Sequence, residues 1–512
     1  MRSLLLALSL ALLAASPALA ERDLDAARAL AERISPQLSA KVLFKKITSA
    51  NGKDVYSLAN NGQHVEIGGN NANSMAVGLN RYLKKYCNVT VSWFDDVVVT
   101  MPPAMPMVDF PETVEALVPQ RFFITSCKID CAMPFWQWND WEHFIDWMAL
   151  NGINRPPVAA GQGPLQEQII ARERALNMRV LPPAATGHKA TTAITCHDSE
   201  RTFWCNLGNV ESLQVNPKEV REQLDRALSA RGNHLTGIGL TLERLDLQQF
   251  PCEYLFEKAW NLQRNLTETA NEIADCHAGK AIVSVRDAWN ILLNEALTAP
   301  SSPHACPPHM AYPALGQRDT TRHNVPALVS AWHNLLMQRE VTTDAMTVDL
   351  VWVGRQLLGD LFGYEKQLFD KAYYARDLQE MHRRAFLMTS ILADIDLLNA
   401  QHPHSTLHHW LQQARDFKTA PASRNWSGVI LGYYAQRWYC YIDEATRAVQ
   451  AGRDFDAASC NAAISHIQQA WSDPSLQHDE PRDYPRDVLL TCEVIAHKYA
   501  QELHNCASSA GN

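Results

Sequence analysis

The chain has 512 residues, 46% hydrophobic and 20% charged, the balance of a folded globular protein and not of a disordered one. Its formal charge of -9 is spread thinly and leaves no basic stripe, which argues against nucleic acid as a partner. A chain this long exceeds a single hydrophobic core and should divide into about two to four domains.

The N terminus reads as a signal peptide over residues 1–20. Arg2 supplies the positive end, Leu4 to Ala15 form a short apolar run, and Pro17-Ala18-Leu19-Ala20 offers small residues for cleavage before Glu21. The run is too short to cross a bilayer, Glu21, Arg22 and Asp23 follow at once, and no later segment reaches the ~18 apolar residues a span needs. The expectation is a secreted, periplasmic or otherwise extracytoplasmic protein, lysosomal or extracellular in a eukaryote, with no membrane span. Twelve cysteines suit disulfides in an oxidising compartment, and Cys127/Cys131, Cys196/Cys205 and Cys492/Cys506 have the closest spacings.

Residues 21–115 alternate helix and strand signals. Asp23 to Ile34 is an amphipathic helix; Val42-Phe44, Asp54-Ser57 and His64-Ile67 are short strands; Ser74 to Tyr86 is a second helix. Met101-Pro-Pro-Ala-Met-Pro-Met107 and Pro111 mark a linker that closes this small α/β domain.

Residues 116–355 repeat a strand-helix alternation. Apolar strand candidates recur at Arg121-Thr125, Ile153-Ala159, Met178-Pro183, Leu235-Thr241, Ala281-Val285, Met310-Leu315 and Ala327-Trp332, with an eighth possible near Met346-Trp352. Helical candidates include Trp141-Leu150, Gln166-Leu176, Pro217-Ala230 and Tyr254-Asp275. The pattern predicts a shortened (β/α)8 TIM-like barrel, so the fold class is α/β. In residues 356–512 the strand signal fades and long amphipathic helices follow, which predicts an all-α domain.

Met133-Pro-Phe-Trp-Gln-Trp-Asn-Asp-Trp-Glu-His-Phe-Ile-Asp-Trp-Met-Ala-Leu-Asn-Gly-Ile-Asn154 closely resembles the signature block of the α-N-acetylglucosaminidases, glycoside hydrolase family 89. Gly78-Leu79 with Tyr82-Leu83, Cys87 and Trp93 looks like that family's N-terminal domain. Gly161-Gln162, Val180-Leu-Pro182, Gly187-His188 and Trp332-His-Asn334 look like its barrel, and Arg424-Asn-Trp-Ser-Gly428 with Tyr433-Tyr434 and Arg437-Trp438 like its helical C terminus.

The resemblance implies an exo-acting retaining glycosidase that releases terminal α-linked N-acetylglucosamine, using two carboxyl groups roughly 5–5.5 Å apart. The family's acid/base is the last residue of an Asp-Thr-Phe-Asn-Glu segment; Gly239-Leu-Thr-Leu-Glu243 matches it, so Glu243 is the acid/base candidate, while Gly239 and Leu242 replace the aspartate and asparagine. Register from Leu350-Val351-Trp352 places Thr343 at the nucleophile, with Glu340 and Asp344 the nearest carboxylates. The family's sugar-binding segments read Thr125-Ser-Cys127, Gly161-Gln162-Gly163, His188 and His333-Asn334 here. Trp136 and Trp138 lie in the loop before a helix and could stack on a sugar ring, whereas Trp141 and Trp147 fall on the helix face as core. Thr125, Cys127, Gln162, Glu243, His333 and Asn334 come from the ends of different expected strands and should converge at one face of the barrel, with Trp136 or Trp138 on its rim.

No cofactor is expected. His304-Ala-Cys306-Pro-Pro-His309 has no second pair to complete a tetrahedral zinc site, and His402, His404, His408 and His409 read as surface. The implied partner is a carbohydrate ending in N-acetylglucosamine. Two readings stand: a hydrolase with an eroded site, or an inactive glycan- or protein-binding descendant on the same scaffold.

Overall fold

The computed structural model describes residues 20–94, 99–125, 133–156, 163–179, 195–199, 202–208, 216–231, 235–242, 245, 249–261, 264–298, 306–317, 323–413, 424–473 and 486–509. The chain opens with helix α1 (residues 20–34) and α2 (Pro36–Lys41), whose start is capped by the Ser35 hydroxyl. Strands β1 (Val42–Lys46), β2 (Val55–Asn61), β3 (His64–Gly69) and β4 (Glu112–Glu115) form a sheet in the order β1-β3-β2-β4, parallel only between β1 and β3. Helix α3 (Ala72–Tyr82) begins where the Asn71 side chain accepts from Ser74 N at 2.8 Å. It lies so close to the sheet that a Cβ on Gly78 would stand 2.8 Å from Ile67, so only glycine fits there.

The second sheet runs β5-β8-β7-β6, built from β5 (Gln120–Thr125), β6 (Thr195–Ser199), β7 (Thr202–Gly208) and β8 (Gly237–Leu242). Strand β8 pairs in parallel with both β5 and β7, and β6 and β7 form an antiparallel hairpin. All six residues of β8 are buried, as a central parallel strand requires when both faces are covered. Helices α4 (Trp138–Leu150), α5 (Pro164–Ala175), α6 (Pro217–Arg231) and α7 (Phe250–Lys258) accompany this sheet. Arg155, in an isolated parallel bridge to Phe122, marks where a further strand would lie. Cys205 is disulfide-bonded, and Cys196 stands directly opposite it in the ladder. Cys492 and Cys506 are not bonded to each other; each is a buried thiol.

After β8 the described residues contain no strand. Helices α8 (Leu266–Ala278), α9 (Val283–Asn294), α10 (Val325–Leu336), α11 (Asp344–Tyr374) and α12 (Leu378–Asn399) pack in succession, followed by α13 (Leu407–Gln413), α14 (Ala435–Gln450), α15 (Ala457–Trp471), α16 (Val488–Lys498) and α17 (Ala500–Ser509). The α/β layout with a helical C-terminal part therefore holds, but four expected strands do not. Ala281-Val285 opens α9, Met310 ends a 3-10 turn, Ala327-Trp332 lies inside α10, and Met346-Trp352 lies inside α11. Short apolar runs fit a buried strand or a buried helix equally well by periodicity alone. Here the caps decide. The Asn324 side chain accepts from Ala327 N, Pro326 sits in the first turn, and the Thr343 side chain accepts from Met346 N.

Candidate functional site at the strand ends

Parallel pairing sets Thr125, the last residue of β5, directly beside Leu242, the last of β8. The carboxyl ends of parallel strands are where α/β proteins place ligands. Glu243 follows Leu242 in the chain; Glu243 itself, Cys127, Gln162 and His188 lie outside the described residues.

The two positions before Glu243 that depart from the family pattern have a structural reason. Gly239 pairs with Trp204 of β7, and a Cβ at 239 would stand 2.3 Å from the Trp204 indole. The ring lies across the glycine and also meets Phe122 of β5 at 5.3 Å between centroids. An aspartate at 239 would have to displace this tryptophan. Leu242 is fully buried among apolar neighbours, where an asparagine amide would need a partner.

The helical region reaches this end of the sheet through Arg424. Its Nη2 donates to the Leu245 carbonyl at 2.8 Å, and its guanidinium lies 4.2 Å from the Trp426 ring centre. The segment behind Arg424 is clamped on buried Asp396, which accepts from Ser427 Oγ at 3.0 Å, Gly428 N at 2.8 Å and Leu431 N at 3.2 Å. Asn425 Oδ1 accepts from Asn399 Nδ2 at 3.3 Å and meets His309 Nε2 at 3.2 Å. Burial pushes the His309 imidazole down to about 4, so it is neutral above that pH. Sequence reasoning noted Arg424-Asn-Trp-Ser-Gly428 only as a resemblance; its contact with the loop after β8 crosses 179 positions of sequence and has no local signal.

The other expected site residues are placed differently. Trp136 is buried, edge-on to Trp141 at 5.3 Å and to Phe144 at 5.2 Å, so it belongs to the core with Trp141 and Trp147. Trp138, the first residue of α4, is half-buried. His333 and Asn334 occupy the last turn of α10 instead of a strand end; His333 is exposed and Asn334 Nδ2 donates to Ser330 O at 2.9 Å. Thr343, placed at the nucleophile position by its register with Leu350-Val351-Trp352, caps the helix that holds those residues, α11, and donates its hydroxyl to the His277 carbonyl. Glu340 is exposed on the preceding loop, 4.0 Å from Lys280. Asp344, in the first turn of α11, borders a cavity of about 290 Å³ together with Gln249, His277, Lys280 and His402. No residue of the second sheet lines that cavity among the described residues, so it is a separate place from the strand ends.

The histidine cluster is also not surface. His402 is buried, and His404 stacks on Phe94 at 3.8 Å. Phe135 meets Trp410 at 5.8 Å, so the loop before α4 and the segment around α13 touch. Among the described residues no group of histidine, cysteine and carboxylate side chains could hold a metal ion, and no helix is long and apolar enough to cross a membrane.

Three family models match the chain in order. They are the α-N-acetylglucosaminidase N-terminal domain over residues 25–107, its TIM-barrel domain over 121–164, and its C-terminal domain over 270–423 and 420–491. The human α-N-acetylglucosaminidase is 31% identical over 153 residues, a stretch that is 29% of this chain and 20% of the human protein. Among solved structures, the chain is similar to a family 89 glycoside hydrolase from Clostridium perfringens in complex with PUGNAc. The match has a TM-score of 0.76 at 16% identity and covers 94% of this chain and 81% of that one. The same enzyme in complex with its substrate GlcNAc-alpha-1,4-galactose matches with a TM-score of 0.72 at 16% identity, covering 94% and 80%.

Proposed function

Since the chain belongs to the α-N-acetylglucosaminidase family, glycoside hydrolase family 89, we propose that it is an exported carbohydrate-binding member whose two-carboxylate machinery is incomplete. The site in this reading is the face at the ends of β5 and β8, with Glu243 as the acid/base-type carboxylate and Thr125, Cys127, Gln162, His188 and Trp138 as the candidates for holding the sugar. The substrate class is a glycan ending in α-linked N-acetylglucosamine, the kind of sugar held by the Clostridium relative. The apolar N terminus through Ala20 supports export.

The observation that carries this reading is Trp204 lying across Gly239. A carboxyl acid works only when neighbouring groups hold it within roughly half an ångström of its productive position. In the strand that leads to Glu243, the family's aspartate and asparagine are replaced by Gly239, against the Trp204 indole, and by buried Leu242. The second carboxylate has no strand to stand on: β8 is the last strand among the described residues, and Glu340 and Asp344 belong to a loop and a helix start beside another cavity. A retaining pair needs its carboxyl groups roughly 5–5.5 Å apart, an inverting pair roughly 6.5–9.5 Å. The barrel segment is shortened accordingly, and we place its boundary with the helical domain near α8, where the C-terminal family model begins.

The test is release of nitrophenol from an aryl α-N-acetylglucosaminide by the purified protein, alongside calorimetric titration with N-acetylglucosamine. The expected result is sugar binding without turnover. Hydrolysis abolished by Glu243→Gln would overturn it and establish a working glycosidase with an unrecognised second carboxylate.

A further inference from the structure

The opposite end of the second sheet, where β5 starts, opens on a cavity of about 600 Å³ between the N-terminal α/β unit and the barrel segment. Its charged lining is one-sided. Asp54 is the one carboxylate among the described lining residues, and it is already committed: Oδ2 accepts from Arg121 Nη2 at 2.5 Å and Oδ1 from Asn71 Nδ2 at 2.7 Å. Arg121 is fully buried and also donates to the Gly152 and Val118 carbonyls, so this pair is a neutral internal clip.

Arg155, Arg174 and Arg179 also line the cavity. None of the three has a carboxylate within 4.0 Å among the described residues, whereas Arg172, on the same helix as Arg174, meets Glu142 and Asp146 at 3.4 Å each. Two of the three are set by backbone pairing. Arg155 N donates to Arg121 O at 3.0 Å, Phe123 N donates to Arg155 O at 3.1 Å, and Arg179 N donates to Asn154 O at 3.0 Å. Burial, and then the charges of Arg179 and Arg121, lower the Arg155 pKa from its usual value. Like charges held together beside a neutralised carboxylate are unfavourable until an anion sits among them. Guanidinium forks match the oxygens of a tetrahedral oxyanion in pairs, and rigid placement of their backbones reduces the ordering cost of binding.

We infer that this cavity is a second ligand site, for a phosphate or sulfate group, held by Arg155, Arg174 and Arg179 at the end of the sheet away from Glu243. The cavity leaves room for the body of an ester as well as for the free ion. The site is independent of the sugar-binding reading, and either can fail without the other.

Calorimetric titration of the whole protein at constant ionic strength decides it, with inorganic phosphate, inorganic sulfate, a hexose phosphate and a hexose sulfate as probes. The expected result is saturable binding, weakened about tenfold by Arg155→Gln and by Arg179→Gln. The Arg174→Gln/Arg179→Gln double variant changes two exposed side chains and should keep the wild-type circular dichroism while losing binding. Tighter binding of the esters would identify an esterified ligand, and equal binding the free ion. No saturable heat with any probe, or undiminished binding by the folded double variant, would overturn the site.

Discussion

The helical region and the second sheet have kept their family residues for opposite reasons. In the helical region Arg424-Asn-Trp-Ser-Gly428 is retained inside a polar clamp, where Asn399 donates to Asn425 and Asp396 accepts from Ser427 and from the backbone at Gly428 and Leu431. In the strand before Glu243 the family's polar pattern gives way to Gly239, beneath Trp204, and to buried Leu242. A buried polar network is hard to lose piecemeal, because removing one member strands the rest away from water. A solvent-facing catalytic pattern can drift without unfolding the chain. The difference predicts that helical-region polar residues are held by stability, and strand-end residues by binding or not at all.

The sharpest way to break this contrast is Asp396→Ala. It removes the acceptor for three donors in a fully buried place, and the expected loss is on the order of 4 kcal/mol of unfolding free energy. Urea denaturation measures it. A loss below about 1 kcal/mol would mean the clamp is loosely held and that the motif persists for some other reason.

Trp136→Ala tests the other side. Packed edge-on against Trp141 and Phe144, Trp136 should cost about 3 kcal/mol when truncated and leave sugar affinity per folded molecule unchanged. Trp138→Ala, at a half-buried position, should do the reverse: a small stability change and weaker binding of N-acetylglucosamine. A Trp136→Ala protein that melts normally and no longer binds sugar would place the indole in the site after all.

Much of this architecture was legible in the sequence. The helix from Pro217 lies within a residue of its periodic pattern, α12 and α15 lie within a few residues of the amphipathic stretches Leu378-Leu398 and Phe455-Trp471, and strands β5 and β8 overlap Arg121-Thr125 and Leu235-Thr241. The failure was local and has a physical cause. Ala-Leu-Val-Ser-Ala-Trp inside α10 is as apolar as a buried strand, and the helix reveals itself only through Asn324 and Pro326 before it. Read as a strand, that segment puts His333 and Asn334 at a strand end, whereas they occupy the last turn of a helix. Contacts such as Arg424 on Leu245, or Trp204 over Gly239, depend on how distant segments meet and leave no periodic trace.

A smaller effect separates burial from pairing inside the barrel segment. Glu173 of α5 is buried, its Oε1 has no hydrogen-bond partner, and desolvation raises its carboxyl to about 8. A carboxyl raised in the fold above its unfolded value contributes most below the unfolded pKa, and that contribution is lost as pH rises toward 8. Glu173→Gln should therefore change little at pH 4 and stabilise the protein by on the order of 2 kcal/mol at pH 8. Thermal melts across that window check the sign; equal melting shifts at both pH values would show that Glu173 does not titrate with folding.

The smallest expected effect belongs to Glu340, the nearest glutamate in sequence to Thr343. Its side chain is 73% exposed and faces Lys280, itself 61% exposed, at 4.0 Å. Water screens such a pair, and its two long side chains lose entropy to hold one geometry, so its net worth lies within about 0.5 kcal/mol of zero. Glu340→Gln should thus leave the melting temperature and sugar binding unchanged. The value of so small an effect is in what it separates. If the wild type does hydrolyse an aryl α-N-acetylglucosaminide, a loop carrying Glu340 to the strand ends on binding sugar is the simplest source of a second carboxylate. Glu340→Gln would then abolish turnover while leaving stability untouched. An unchanged variant, beside a wild type that binds and does not cleave, leaves Glu340 as an ordinary surface residue of the helical region.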